Sequence, residues 1–374
     1  MPAKPSKARP SIANKSPSRS LAIWPHMHLL GLQALSAGEM RLILSHASKY
    51  EPAAREAVQS GSRSRAKPLT VLAGATIANL FFEDSTRTRM SFSLAARRLG
   101  ANVVDLTSTD SSVSKGETIR DTAANVAAMG VDCLVVRHKA SGAAALVAKA
   151  VGEEGGWGCC VVNAGDGKHE HPTQGLLDAY TISESFGRLS DFNLKGLKVA
   201  IVGDVASSRV ARSDIAALVA LGATVIVVGP PHLAPPSLKV LGCEVTHDLD
   251  EVIDQVDAIN VLRIQFERAS SGAPMNAASA AGGGEKVGGA VLGGSSASNV
   301  VSSVREYAEL YGLSLRRAER MKKNAVILHP GPINRGVEMT AAVADGERSV
   351  VLRQVGHGVA VRMAVLELCL AARG

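Results

Sequence analysis

The chain is short of aromatic residues: Phe, Trp and Tyr make up 3% of its 374 residues, against 46% hydrophobic residues in all. Its core must then be built from Ala, Val, Leu and Ile, which suits parallel strands packed under helices. Cysteine is sparse and odd in number. Cys133, Cys159, Cys160, Cys243 and Cys369 lie mostly in apolar stretches and never form Cys-x-x-Cys, which argues against zinc ligands and a disulfide framework and fits reduced packing residues in a cytosol. No apolar run reads as long enough for a membrane span and no apolar segment of signal-peptide type follows the basic start, so a soluble, cytoplasmic protein without a membrane partner is expected.

Acidic residues are missing from the first twenty positions, which hold Lys4, Lys7, Arg9, Lys15 and Arg19. Those five account for most of the formal net charge of +7, and the rest of the chain is nearly neutral at +2. The charge therefore describes a solvated tail, residues 1–22, and disfavours a nucleic-acid surface. The tail lacks the amphipathic pattern of a transit peptide. Phosphate-loop and dinucleotide signatures are absent too. Gly282-Gly283-Gly284-Glu285-Lys286 follows no strand and lacks Gly-Lys-Ser/Thr, and Val202-Gly203-Asp204-Val205 is not Gly-x-Gly-x-x-Gly.

What is present is alternation. Ser36-Ala37-Gly38-Glu39 is a capping box opening a helix through Met40 to Leu44. Strands are then expected at 76–82, 103–106, 131–136 and 159–162, with helices after Arg89, over 118–129 and over 143–151. A long helix starts at Pro172, and a second series follows: strands at 198–204, 224–228, 258–262 and 325–328, with a helix over 209–221. This predicts an α/β protein of two doubly wound parallel-sheet domains joined by a bridging helix, with ligands at the carboxyl ends of strands. The last helix, Val359 to Leu370, is apolar around most of its circumference and should be buried. Residues 270–300, mostly Ser, Gly, Ala and Val without periodicity, read as a flexible insertion.

The stretch Phe81-Phe82-Glu83-Asp84-Ser85-Thr86-Arg87-Thr88-Arg89-Met90-Ser91-Phe92 turns from strand to helix. The first N–H groups of a helix have no intrahelical partner and carry the positive end of the helix dipole, so anions bind there. Two hydroxyls and a guanidinium at that spot suit a phosphate; the alternative is an ordinary helix cap formed by Asp84 or Ser85. Arg87, Lys115, Arg137, Arg209 and Arg263 all stand at strand ends or in loops, and convergence of these cations would make a polyanion site. His169, Glu170 and His171 with Asp166 offer metal-ligand types, but no second cluster or metal-site spacing accompanies them, and no metal is expected.

Several stretches together resemble the catalytic chains of the aspartate carbamoyltransferase family, within the aspartate/ornithine carbamoyltransferase superfamily. They are Ser85-Thr86-Arg87-Thr88-Arg89, Lys115-Gly116-Glu117-Thr118, Val136-Arg137-His138, His171-Pro172-Thr173-Gln174, Arg209-Val210-Ala211-Arg212-Ser213, Leu262-Arg263-Ile264-Gln265, His329-Pro330-Gly331-Pro332 and Gly358-Val359-Ala360-Val361-Arg362-Met363. They fall in family order from about residue 21 to the C-terminus, and only the tail and the 270–300 insertion lie outside.

The resemblance implies transfer of the carbamoyl group of carbamoyl phosphate to L-aspartate, a step of pyrimidine biosynthesis, without a cofactor. It implies a carbamoyl-phosphate-binding domain over 23–171 with 352–374, the C-terminal helix packing back on it, and an aspartate-binding domain over 172–351. Ser85, Thr86, Arg87 and Thr88 would hold the phosphate; Thr88, Arg137 and His171 the carbonyl oxygen; Gln174 and the backbone of Pro330 and Gly331 the carbamoyl NH₂. Arg209, Arg263 and Gln265 would take the carboxylates of aspartate. Lys115 would touch both substrates, entering with Ser111 from the neighbouring subunit of a homotrimer with shared active sites. A regulatory chain or a dihydroorotase partner is left open. Asp84 departs from the proline common at its place in the family, and is unfavourable beside a phosphate unless it points away.

Two rivals remain. Ornithine carbamoyltransferases carry His-Cys-Leu-Pro and Ser-Met-Gly where this chain has His329-Pro330-Gly331-Pro332 and Leu262-Arg263-Ile264-Gln265, and arginines would repel an ammonium side chain. A catalytically inactive scaffold paralogue is the other, and the presence of every expected site residue speaks against it.

Overall fold

The computed structural model describes residues 24–59, 69–107, 117–152, 155–264 and 303–373. The tail, Ser111, Lys115, Gln265 and the 270–300 insertion lie outside the described residues. The capping box forms as the sequence predicts: the Ser36 N–H donates to the Glu39 carboxylate at 2.7 Å, the Glu39 N–H donates to the Ser36 hydroxyl at 3.3 Å, and α1 (Ala37–Gln59) follows.

The first sheet is built from β1 (Thr76–Phe81), α2 (Thr86–Arg98), β2 (Asn102–Thr107), α3 (Ile119–Ala128), β3 (Cys133–His138), α4 (Ala143–Val151) and β4 (Cys160–Asp166). Its order is β2-β1-β3-β4, all parallel. Along β1 the side chains alternate as a pleat requires. Ile77 and Phe81 join the core that includes Phe92 of α2, while Ala78 and Leu80 face Ala123 of α3 and Val147 of α4. Both faces are covered, so β1 and β3 read as nearly unbroken apolar runs.

Helix α5 (Pro172–Ser185), with proline in its first turn, leads to the second sheet. That sheet comprises β5 (Lys198–Val202), α6 (Arg209–Ala220), β6 (Thr224–Val228), β7 (Glu244–Thr246), β8 (Ala258–Val261), α7 (Val304–Tyr311), α8 (Leu315–Arg320), β9 (Val326–Leu328) and α9 (Ala341–Ala344), in the parallel order β7-β6-β5-β8-β9. In both sheets the winding reverses beside the first strand, between β1 and β3 and between β5 and β8. Such reversals leave a crevice at the carboxyl ends of the strands. Helix α10 (Val351–Ala371) returns to pack on α1, α2 and α5.

Three expectations are corrected. The last helix starts at Val351, eight residues earlier than its apolar pattern predicts, because its first turns face solvent: Leu352 is 86% exposed. This helix is also long and apolar enough to cross a membrane by length and composition, contrary to the expectation that no segment is, but 72% of its apolar window is buried in the protein core. Strand β4 runs on through Asn163-Ala164-Gly165-Asp166, expected as a loop. Asn163 tolerates burial because its amide donates to the Leu30 carbonyl at 2.8 Å and to Asp166 at 2.8 Å. Strand β7 and helices α8 and α9 carry too few residues for periodicity to reveal them, whereas α7 does carry a helical period, with Tyr307 and Tyr311 buried one turn apart.

Candidate active site

The carboxyl ends of the two sheets meet in one cleft. Ser85, Arg87 and Thr88 reach it from the turn after β1, Arg137 from β3, His171 and Gln174 from the start of α5, and Arg209 from the start of α6. Arg263 follows β8, and Pro330 and Gly331 follow β9. These ten of the sequence-predicted site residues therefore share one lining. Thr86, at the first position of α2, is exposed and outside the lining, so its N–H is what it offers.

Ser85 occupies the N-cap position of α2, but its hydroxyl donates to Thr88 Oγ1 at 2.9 Å instead of accepting a backbone N–H. The first-turn N–H groups thus have no side-chain cap, which leaves the positive helix end facing the cleft. Asp84 is exposed and outside the lining.

Arg137 is buried, donating to the Ala164 carbonyl at 3.0 Å and to Glu83 at 2.9 Å. Arg209 grips the same Glu83 carboxylate with both of its terminal nitrogens, one at 2.9 Å to Oε2 and the other to Oε1. Glu83 follows the first sheet's β1 and Arg209 begins the second unit's α6, so one carboxylate ties the two units together at the cleft. Nothing in the local sequence marks Glu83, two residues before Ser85, for this role.

His171 is 4% exposed. Burial, with Arg137, Arg362 and Arg209 around it, pushes its pKa well below the ordinary imidazole value, so the ring is neutral and presents one N–H donor. Its backbone N–H donates to Ser213 Oγ at 2.9 Å, and that hydroxyl donates in turn to Glu170 at 2.9 Å. Glu170 also accepts from the N–H groups of Leu32 at 2.7 Å and Gln33 at 3.2 Å. It is therefore committed to holding the loop that carries His171, and His169, Glu170 and His171 do not converge as metal ligands would.

Arg87 and Arg263 stand close enough that Arg263, after burial, lowers the Arg87 pKa. Gly331 packs against Arg87. Its φ is +68°, and a Cβ there would lie 2.5 Å from the guanidinium, so a side chain would have to displace the arginine. The Gly331 N–H donates to His329 Nδ1 at 2.7 Å, which leaves His329 Nε2 to donate toward buried Glu338 at 3.3 Å. A further cation, Arg362 of α10, is 4% exposed. It donates to Ser91 Oγ at 2.9 Å and lies 5.1 Å from the Phe92 ring centre, and burial pushes its pKa down to about 10. Arg362 belongs to the family-like stretch 358–363, and an arginine inside a buried apolar helix is the sequence signal that marks it. Asp204, Ser91 and Gln354 also line the cleft and left no comparable mark.

Five arginines around a cleft, an uncapped helix start and a neutral histidine define a site for substrates with several negative charges, on a two-sheet α/β scaffold. Such a site can bind anions and stabilise charge developing on an oxygen. The model of the aspartate/ornithine carbamoyltransferase carbamoyl-phosphate binding domain matches residues 27–184, and that of the aspartate/ornithine binding domain matches residues 195–369. The chain belongs to the aspartate/ornithine carbamoyltransferase family. It is 47% identical over 344 residues to the aspartate carbamoyltransferase catalytic subunit of Myxococcus xanthus, covering 92% of this chain and 99% of that one. It is 48% identical over 341 residues to the corresponding subunit of Gluconacetobacter diazotrophicus, covering 91% and 92%. Among solved structures, the Trypanosoma cruzi aspartate transcarbamoylase in complex with carbamoyl phosphate is similar at TM-score 0.69 and 26% identity, covering 93% of this chain and 97% of that one. Pyrococcus furiosus ornithine carbamoyltransferase gives the same TM-score and identity, covering 92% and 97%. The fold is thus shared by both acceptor specificities.

Proposed function

We infer that this chain transfers the carbamoyl group of carbamoyl phosphate to the amine of L-aspartate, giving N-carbamoyl-L-aspartate and phosphate. The observation that carries the reading is the set of cations on both walls of one cleft. Arg87 and Arg137 stand on the side of the helix start, and Arg209 and Arg263 on the side of the second sheet. A phosphate and a dicarboxylate bound together need such a distribution. An acceptor with an ammonium side chain would meet Arg263 unfavourably.

In this reading the backbone and hydroxyls of Ser85 and Thr88, the Thr86 N–H and the Arg87 guanidinium hold the phosphate. Thr88, Arg137 and neutral His171 donate to the carbonyl oxygen, where negative charge grows as the amine attacks, each donor contributing on the order of 3 kcal/mol. A C–N bond forms, the C–O bond to phosphate breaks, and the departing phosphate oxygen takes the proton from the amine. His171 is neutral and surrounded by arginines, so it serves as a donor to the oxyanion and not as the base. Arg209 and Arg263 take the carboxylates of aspartate. The mixed anhydride is already activated, so positioning and electrostatics suffice.

Lys115, Ser111 and Gln265 belong to the proposal through the family resemblance alone. A homotrimer in which Ser111 and Lys115 complete the neighbour's site is supported by the edge position of β2, which leads into that segment. Val104 on β2 and Met90 and Leu94 on adjacent α2 are exposed apolar residues that a neighbouring chain would cover. A cytoplasmic location is supported by five buried free cysteines.

The test is turnover by the purified chain. Phosphate release from carbamoyl phosphate should depend on L-aspartate and yield carbamoyl-aspartate; release that ignores aspartate would contradict the reading.

A further inference from the structure

Beneath Gln174 lies a buried polar cluster that none of the assigned roles uses. Asp178, one turn on along α5, is 1% exposed, and Asp214 of α6 is fully buried beside it. Three amides surround the Asp178 carboxylate. Gln174 Nε2 lies 3.1 and 3.3 Å from its two oxygens, Gln354 Nε2 of α10 lies 2.5 Å from Oδ1, and Asn260 Nδ2 of β8 lies 3.1 Å from Oδ2. Asn260 Nδ2 also reaches Asp214 at 2.8 Å.

A carboxylate only accepts hydrogen bonds, so each amide must turn its NH₂ group toward Asp178. Gln174 alone among the three is the group read as meeting the carbamoyl NH₂. With its nitrogen committed to Asp178, the amide has its carbonyl oxygen left to present to the cleft that Gln174 lines. An oxygen is what an incoming NH₂ requires.

We propose that Asp178 is a positioning residue: its carboxylate fixes the Gln174 amide with the oxygen outward, and so makes the site select an acyl phosphate bearing NH₂ over one bearing CH₃. The proposal rests on the reading that Gln174 faces the carbamoyl group. Among the described residues the titratable groups facing Asp178 are Asp214 from α6 and Arg362 from α10. Burial and the neighbouring Asp178 hold the Asp214 carboxyl well above the ordinary range, so of the two carboxyls Asp178 is the one that ionises first. Asp178 itself is pushed up to about 6 by burial, against the hydrogen bonds it accepts, and is ionised at pH 8.

Acetyl phosphate tests this, since it differs from carbamoyl phosphate in the one group that Gln174 would meet. With saturating aspartate at pH 8, kcat/KM is measured for both donors in the wild type, Asp178→Asn and Asp178→Ser, after circular dichroism and thermal melting establish which variants are folded. Where acetyl transfer is too slow, its inhibition constant against carbamoyl phosphate replaces it. Asn allows the Gln174 amide to flip, and Ser leaves space for water, so either folded variant suffices. The expected result is a fall of roughly ten- to a hundredfold with carbamoyl phosphate, and a change within about twofold with acetyl phosphate, as loss of one contact to NH₂ requires. Equal falls with both donors, or no fall with either, overturn the proposal. If the wild type itself fails to carbamoylate aspartate, it is the functional reading that has failed.

Discussion

Replacing Arg87 with alanine separates what the site needs from what the fold needs. Arg87 is the second residue of α2, directed at the cleft, with burial and neighbouring Arg263 both lowering its pKa. Its charge is thus disfavoured in the folded chain, and losing it should not weaken the fold. The melting temperature of Arg87→Ala should stay within about 2 °C of wild type or rise, since no buried partner is orphaned. Activity should behave in the opposite way. A bidentate guanidinium on phosphate makes two charge-assisted hydrogen bonds of about 1.5–3 kcal/mol each, so their loss predicts a fall of roughly 10² to 10⁴ in kcat/KM for carbamoyl phosphate. The assay is steady-state carbamoyl-aspartate formation over a wide range of carbamoyl phosphate, paired with calorimetry. Turnover within tenfold of wild type in a folded variant would refute the phosphate assignment. A loss of melting temperature beyond about 5 °C would show instead that Arg87 supports the fold.

Arg263→Ala should raise KM for aspartate by roughly ten- to a hundredfold and KM for carbamoyl phosphate far less; equal rises would remove Arg263 from the aspartate pocket. Glu83→Gln loses the charge that joins Arg137 to Arg209, so aspartate kcat/KM should fall about tenfold or more, and an unchanged value would show that the bridge does not shape the site. His171 stays neutral in the fold while an unfolded histidine charges below about pH 6.5, so it lowers stability as pH falls through that value. His171→Asn should therefore narrow the loss of denaturant midpoint between pH 7.5 and pH 5, and an unaltered loss would argue that the ring charges in place. If the proposed trimer with shared sites holds, Arg87→Ala and Lys115→Ala assemblies, each nearly inactive, should regain activity when dissociated, mixed and reassembled; confirmed mixed assemblies without activity would place Lys115 in its own chain's site or outside catalysis.

Strand and helix alternation, and the turn at 81–92, were legible because β1 and α2 obey different periods and meet where a helix start faces open space. Of the cations expected at strand ends and in loops, Arg87, Arg137, Arg209 and Arg263 do meet, since parallel sheets bring those ends to one side, while Lys115 lies outside the described residues. Glu83 and Arg362 escaped for opposite reasons. Glu83 matters only because Arg137 and Arg209, 72 residues apart in sequence, converge on it in space. Arg362 was hidden in a helix whose apolar character marked it as core. Glu170, assigned no role from sequence, holds Leu32, Gln33 and Ser213 through contacts that no local pattern encodes. The pairing of Asp178 with Asp214 and Gln354 is likewise a product of packing between α5, α6 and α10.

The central claim is that the two walls of the cleft receive carbamoyl phosphate and aspartate. Carbonyl-labelled carbamoyl phosphate offered to the purified protein with equal concentrations of L-aspartate and L-ornithine measures it in one vessel. The account predicts that label appears in N-carbamoyl-L-aspartate in large excess over citrulline and that its formation falls at least about a hundredfold in Arg87→Ala. Citrulline as the main product, or label in neither amino acid, would contradict it.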